Sequence, residues 1–183
     1  KTFMSDAQSK RALEALRANE SLFLTGITGS GKTHLAVALI LDWYADSLTQ
    51  REETGWSNKI FSAKGTPVFL PTTELLLEIK ESWHHEENMQ AESEKRILDK
   101  YATNPLLVLD DVDSEKISDW SRQVLYLLID RRYRNMRQTI ITSNRTIGQL
   151  AEEFDARIAS RIAEMGVVVD MGKKDWRIKI GVS

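Results

Sequence analysis

A glycine-rich octapeptide constrains the fold of this 183-residue chain more than any other feature of its sequence. It fits the pattern G-x-x-x-x-G-K-[ST] and consists of Gly26, Ile27, Thr28, Gly29, Ser30, Gly31, Lys32 and Thr33. The glycines permit a tight turn that aims successive backbone N–H groups at phosphate oxygens, and the positive end of a following helix dipole attracts the same anion. The apolar run 21–25 precedes the octapeptide and a helical pattern over 32–48 follows it. This order of strand, loop and helix is typical of a phosphate-binding loop.

The last two residues of the octapeptide have separate tasks at a bound nucleotide. We expect Lys32 to reach the β and γ phosphates and the Thr33 hydroxyl to bind Mg²⁺, while the six residues before them surround the phosphates. ATP and Mg²⁺ are therefore the predicted cofactors.

Apolar runs recur along the chain and predict strands that alternate with helices. The predicted strands span 21–25, 67–70, 106–109, 139–144 and 166–170. The run at 106–109 is unbroken, as in a strand that is buried on both faces of a parallel sheet. The expected class is an α/β P-loop NTPase with a five-stranded parallel sheet flanked by helices. The polar segment 49–66 is predicted to be a surface loop.

Polar residues follow two of these strands. Asp110 and Asp111 end the third strand, where the first carboxylate is expected in the Mg²⁺ shell and the second is expected to orient or deprotonate an attacking water. Asn144 ends the fourth strand, where its amide can hold water or phosphate, or alternatively cap the next helix. Ligands of open α/β sheets collect at the carboxyl ends of the strands, so these side chains are expected near the glycine loop.

Spacing predicts one helix that carries two stripes of side chains. The helix contains Leu150, and Phe154, Ile158 and Ile162 recur at i, i+4 and i+8 to form its apolar stripe. Arg157 and Arg161 form a second stripe, about 100° away around the helix. Two adjacent guanidinium groups suit a polyanion, although ordinary ion pairs with Glu153 or Glu164 are an alternative.

Composition excludes several other classes of protein. The chain has 25 Lys and Arg against 27 Asp and Glu, a net charge of -2, so bulk positive charge does not provide nucleic-acid binding. No apolar run is long enough to span a membrane. The absence of cysteine excludes disulfides and thiolate metal sites, and it fits a cytoplasmic location. Because the chain begins at Lys1, we expect it to be a fragment or a processed form.

Together, these motifs resemble the AAA+ ATPase core. Residues 106–165 more narrowly resemble the bacterial and phage helicase-loader family of the DnaC type and its relative, the transposition ATPase IstB. The matching segments are 106–111, 129–133, 141–144 and 155–162. The resemblance implies an N-terminal helical segment (1–20), an AAA+ core without the C-terminal helical lid (21–172) and a C-terminal tail (173–183).

The same resemblance implies that ATP binds at a boundary between subunits. Arg161 matches an arginine that completes the site of a neighbouring subunit, and Arg157 lies one turn earlier on the helix. In the tail, Arg177 matches a position that contacts the nucleotide base, together with Trp176. Many relatives carry Glu at the position of Asp111, whose side chain is one methylene shorter, so slow hydrolysis is expected.

The implied function is ATP-dependent loading of a hexameric replicative helicase onto single-stranded DNA during replication, by a self-associating cytoplasmic protein with no membrane partner. Three alternatives remain open on the sequence. They are an IstB-like transposition ATPase, a small-molecule P-loop kinase and an ATP-binding adaptor in which Asp111 is idle.

Two basic clusters are candidate contacts for single-stranded DNA, with a neighbouring subunit as the alternative contact of the first. The first lies at the end of one predicted helix, where the helix dipole alone also favours cations, and contains Arg131, Arg132, Arg134 and Arg137. The second lies in the tail and contains Lys173, Lys174, Arg177 and Lys179. No zinc site is predicted, because the neighbouring His84 and His85 point in different directions on a helix.

Overall fold

The strands of this chain form one parallel sheet. The computed structural model describes residues 7–53, 66–83, 90–113, 118–172 and 174–175. Within these residues there are five strands: β1 (Ser21–Thr25), β2 (Val68–Pro71), β3 (Leu106–Asp110), β4 (Gln138–Ser143) and β5 (Gly166–Asp170). They lie in the order β2, β3, β4, β1, β5, and every neighbouring pair is parallel. The predicted α/β class with a five-stranded parallel sheet is therefore confirmed.

Helices cover both faces of this sheet. Those in the described residues are α1 (Ala7–Arg17), α2 (Lys32–Glu53), α3 (Thr72–Ser82), α4 (Gln90–Thr103), α5 (Asp119–Arg134), α6 (Ile147–Glu153) and α7 (Ala156–Met165). None of the helices in this part of the chain has the length and apolar character needed to cross a bilayer.

Successive residues of β3 point to opposite faces of the sheet. Leu106 and Val108 belong to an apolar core shared with α1 and α2, whereas Leu107 and Leu109 belong to a core shared with α3 to α7. All the residues of β3 are consequently buried, as predicted from its unbroken apolar run.

The register of the sheet brings the carboxyl ends of the strands to one edge. Thr25 at the end of β1 pairs with Ser143 at the end of β4, and Leu109 of β3 pairs with Ile141 of β4. The residues that follow these strand ends, Gly26, Asp111 and Asn144, therefore begin at the same edge of the sheet.

The structure differs from the prediction at the end of α2. This helix continues to Glu53, so the predicted surface loop at 49–66 is wrong for its first five residues. The segment 49–53 contains glutamine, arginine and two glutamates, which have good helix propensity. The remainder of the predicted loop, 54–65, lies outside the described residues.

The helix predicted through Leu150, Phe154, Ile158 and Ile162 is two helices. Asp155 has an extended backbone and acts as the N-cap of α7, because its carboxylate accepts the N–H groups of Arg157 (2.8 Å) and Ile158 (3.4 Å). A side chain that satisfies these N–H groups favours a new helix start over continuation of the old helix. Phe154 ends α6 yet packs in the same core as Ile158, so the apolar stripe is shared by two elements.

The prediction that Arg132 contacts DNA as part of the first basic cluster is wrong. Its guanidinium is fully buried and donates to Thr139 Oγ1 (2.8 Å) and to the carbonyl oxygens of Tyr101 (2.5 Å), Asn104 (2.9 Å) and Gln138 (2.5 Å). Burial lowers the pKa of Arg132 to about 9, so it remains protonated at neutral pH. Arg132 joins the end of α4 to the start of β4 and is not available to DNA.

The variant Arg132→Met is expected to lower the free energy of unfolding by about 3 kcal/mol, since it leaves buried carbonyl oxygens without a donor. The control is Arg134→Met, which removes only a pair between the exposed Arg134 and Asp130 and should cost less than about 1 kcal/mol. The urea concentrations at the unfolding midpoints of the two variants measure both losses of stability. Equal midpoints for the two variants would contradict a structural role for Arg132.

Candidate functional site

The glycine loop lies between β1 and α2 with the backbone that its sequence predicts. Gly29 and Gly31 have φ of 82° and 95°, in the left-handed region that side chains disfavour. A Cβ atom on Gly29 would also lie 2.1 Å from Oδ1 of Asp175. The positive φ therefore favours glycine at position 29, and a Cβ there would also displace the Asp175 side chain.

Lys32 connects the glycine loop to the end of β4. Its Nζ donates to the carbonyl oxygens of Gly26 (2.8 Å) and Ile27 (3.0 Å) and to Oδ1 of Asn144 (2.9 Å). The side chain of Asn144 thus lies beside the lysine expected to bind phosphate. The structure brings together these two predicted site residues, which are far apart in the sequence.

Thr33 and Asp110 lie together as the predicted metal ligands. Thr33 Oγ1 donates to the Asp110 carboxylate at 3.1 and 3.2 Å. Hydroxyl and carboxylate oxygens are ligands that Mg²⁺ prefers, and it usually takes only one or two carboxylates from the protein. No group of three or more His, Cys, Asp or Glu in the described residues is arranged to hold a metal alone. The donor set therefore fits a magnesium ion that takes some of its ligands from the protein and the others from phosphate.

The loop also fits a phosphate group. The hydroxyl of Ser30 is buried and has no hydrogen-bond partner in the described part of the chain. A buried hydroxyl without a partner is costly, and a phosphate oxygen is a suitable acceptor for it.

Asp111 has an unusual backbone and a perturbed carboxyl group. Its φ of 58° places it in the left-handed region, and Oδ1 accepts the side-chain N–H of Asn144 at 3.0 Å. Burial raises the pKa of Asp111, and the carboxylates of Asp113 and Asp110 raise it further, whereas Lys32 and the Asn144 amide lower it. A carboxylate with a raised pKa accepts a proton more readily, which suits the predicted role towards water.

Three residues at this edge were missed by the sequence analysis. The buried hydroxyl of Thr142 donates to Asp110 Oδ1 (2.6 Å) and accepts the backbone N–H of Asp111 (2.8 Å). Asp113 and Arg145 form an ion pair of 2.9 Å beside Asn144. The available signals were a third acid shortly after β3 and an arginine directly after Asn144.

The two arginines of α7 are held by partners on α5 and at the ends of α7. Arg161 pairs with Asp130 (3.2 Å) and Glu164 (3.4 Å) and lies over the ring of Tyr133. Arg157 pairs with Asp155 at 2.8 Å and lies over Tyr126. The alternative of surface pairing is thus observed for Glu164. It is wrong for Glu153, which pairs instead with Arg145.

Several predicted residues lie outside the described part of the chain. They are Trp176, Arg177, Lys173, Lys179, His84 and His85. The predicted base contact of Arg177, the tail cluster and the absence of zinc at the histidines stay predictions.

We expect Gly29→Ala to destabilise the protein by about 1–3 kcal/mol and to weaken ATP binding, because alanine is strained at this φ. The control is Gly148→Ala in α6, where the nearest atom to a new Cβ is 4.0 Å away. Thermal unfolding and titration with a fluorescent ATP analogue measure the two effects. A Gly29→Ala protein as stable as Gly148→Ala would contradict the conformational requirement.

The fold is similar to solved structures of replication proteins. The crystal structure of the DnaC helicase loader matches with a TM-score of 0.65 at 27% identity, over 91% of each chain. The crystal structure of DnaI matches with a TM-score of 0.62 at 22% identity, over 96% of this chain and 87% of that one. AMPPCP-bound DnaA from Aquifex aeolicus matches with a TM-score of 0.58 at 20% identity, over 88% of this chain and 44% of that one. The resemblance to a DnaC-type AAA+ core is therefore confirmed.

The sequence matches the model of one protein family. No curated protein matches the chain. A model of the family described as novel STAND NTPase 3 matches residues 3–180, which is nearly the whole sequence. The chain therefore belongs to the novel STAND NTPase 3 family, and its core is a P-loop NTPase core of the AAA+ type.

Proposed function

We propose that this protein is a replication ATPase of the helicase-loader type that binds and hydrolyses Mg·ATP at the glycine loop. One observation carries the proposal, the convergence of five polar side chains at the carboxyl edge of the sheet. They are Lys32, Thr33, Asp110, Asp111 and Asn144. The similarity to the DnaC helicase loader supports the loader function, and the AMPPCP-bound DnaA structure supports ATP as the nucleotide.

Each of these side chains has a task in hydrolysis. The loop N–H groups and Lys32 bind the phosphates, and Thr33 and Asp110 would hold the magnesium ion. Bound magnesium supplies neutralisation of charge on the phosphate oxygens. Asp111 accepts a proton from the attacking water. The amide of Asn144 helps to hold the same water. The Asn144 amide donates to the Asp111 carboxylate, so the two groups lie side by side within hydrogen-bonding distance.

Arg161 is proposed to complete the ATP site of a neighbouring copy of the chain. Its guanidinium stays charged at all relevant pH values and binds phosphate in the same fork geometry that binds carboxylates. On assembly, phosphate oxygens would replace Asp130 and Glu164 as its partners, and Arg157 would lie one turn away. The ATP site is then shared between subunits, which makes hydrolysis dependent on self-association.

The proposed partners are a hexameric replicative helicase and single-stranded DNA, in the cytoplasm. Support for the helicase comes from the similarity to the DnaC helicase loader. With Arg132 buried, the cations left for DNA at the end of α5 are Arg131, Arg134 and Arg137. Arg177 stays a proposed contact to the base.

Steady-state ATP hydrolysis per protomer tests the shared site. Specific activity should rise with protein concentration, and Arg161→Ala should lower kcat by about 10²-fold or more while ATP still binds. Arg17→Ala is the matched control, since Arg17 pairs with Asp42 and Asp46 on the other face of the sheet.

A mixing experiment sharpens this test. Asp111→Ala and Arg161→Ala should each be strongly impaired alone, but their mixture should regain activity, because some interfaces then combine an intact Asp111 with an intact Arg161. Activity that is flat with concentration, indifferent to Arg161 and not restored by mixing would refute the shared site.

Salt titration of single-stranded DNA binding tests the α5 cations. Replacing all three with alanine should lower affinity and reduce the slope of log K against log[salt] by about 2, because each phosphate contact contributes about 0.7. The control variant removes the same charge from exposed cations of α1: Lys10, Arg11 and Arg17. Equal losses of affinity in the two variants would show that DNA responds only to net charge.

A further inference from the structure

A buried carboxylate lies directly behind the proposed hydrolysis site. The side chain of Asp113 is only 1% exposed, although it lies in the segment that follows β3. Both of its oxygens accept the backbone N–H of Asn144, at 3.1 and 3.2 Å. The residue that holds Asn144 in place is therefore an acid from a different strand end, 31 residues earlier in the chain.

Arg145 compensates the charge of this buried carboxylate. Its Nη1 donates to Asp113 Oδ2 (2.9 Å) and to the Asp113 carbonyl oxygen (3.0 Å), and its Nε donates to Glu153 Oε2 (2.9 Å). A buried carboxylate is tolerated only when it is paired and hydrogen-bonded, and Asp113 meets both conditions. The ion pair thus joins the segment after β3 to the turn after β4.

The turn that carries Asn144 is also attached to β1 and β4. Thr25, the last residue of β1, donates through Oγ1 to the carbonyl oxygen of Arg145 at 2.8 Å. The N–H of Arg145 donates to Ser143 Oγ at 2.9 Å. With Asp113 on its other side, the backbone on either side of Asn144 is held at several points.

The side chain of Asn144 depends on this backbone. It accepts from Lys32 Nζ and donates to Asp111, so it lies between the phosphate-binding lysine and the proposed base. A shift of the turn by a fraction of an ångström would change the geometry of both hydrogen bonds at once. Small errors of position at a reacting centre have large effects on rate, because catalysis depends on aligned groups.

We propose that Asp113, paired with Arg145, is a positioning residue that holds Asn144 in register with Asp111 and Lys32 for hydrolysis. The inference rests on the proposed ATPase function and deepens it. Asp113 itself touches neither nucleotide nor water in this scheme, since its oxygens are committed to Asn144 and Arg145.

Kinetics of two variants at this position test the role. Asp113→Ala should lower kcat by about tenfold or more with KM for ATP changed less than about threefold, because phosphate binding by the loop is left intact. Asp113→Asn keeps an oxygen acceptor for the Asn144 N–H but loses the charge, so its kcat should lie between those of Asp113→Ala and the unaltered chain. Asp99→Ala is the matched control, because Asp99 also pairs with an arginine, Arg131, but on the surface.

A double-mutant cycle separates positioning from a general loss of stability. If Asp113 acts through Asn144, the double variant Asp113→Ala/Asn144→Ala should be no slower than Asn144→Ala alone. A double variant whose loss in kcat equals the product of the two single losses would overturn the proposal. So would a kcat for Asp113→Ala within twofold of the unaltered chain while Asn144→Ala is strongly impaired.

Hydrogen exchange of the Asn144 backbone amide, measured without nucleotide, gives a readout that does not need ATP turnover. Loss of its acceptor in Asp113→Ala should speed exchange at this amide by about tenfold or more, with little change in Asp99→Ala. If the unaltered chain does not hydrolyse ATP, the proposed function fails, and this exchange rate alone decides the positioning role. Unchanged exchange in both Asp113 variants would overturn it.

Discussion

The parallel pairing of β1, β4 and β3 is the constraint on which the site depends. Each of these strands is held by its neighbour in a register that ends at one edge of the sheet. The glycine loop, the Asp110–Asp111 pair and Asn144 follow the three strand ends, so residues from three separate parts of the chain meet within hydrogen-bonding distance. Helices on both faces bury the three central strands β1, β3 and β4, so their register is fixed by the packing of the core.

Buried polar side chains then refine what the sheet brings together. Thr142 orients Asp110 and satisfies the N–H of Asp111, while Asp113 does the same for Asn144. Arg132 plays a comparable role at the opposite end of β4, where it ties carbonyl groups of α4 to the strand. In each case a buried polar group joins segments that are distant in the chain.

Local patterns predicted the parts of this structure that local physics decides. The glycine loop, the strands and the positions of Asp110 and Asn144 depend on short segments with distinct chemistry. The break before α7 was not predicted, because the helical spacing of apolar residues continues across Asp155. The side chain of Asp155 nevertheless caps a new helix there. Arg132 and Asp113 escaped because their partners are distant in the sequence, and a charged residue gives no local sign that it is buried. The family was identified only by comparison, although the type of core was predicted from its motifs.

The carboxylates around Asn144 also have a thermodynamic consequence. Asp110, Asp111 and Asp113 lie within four residues. Arg145 forms an ion pair with Asp113, and the charge of Lys32 lowers the pKa of Asp111. A polyphosphate is repelled by nearby carboxylates, whereas a divalent cation is attracted to them. If the proposed site binds both, their occupancies would be linked. By reciprocity, the factor by which the cation raises nucleotide affinity would equal the factor by which the nucleotide raises cation affinity.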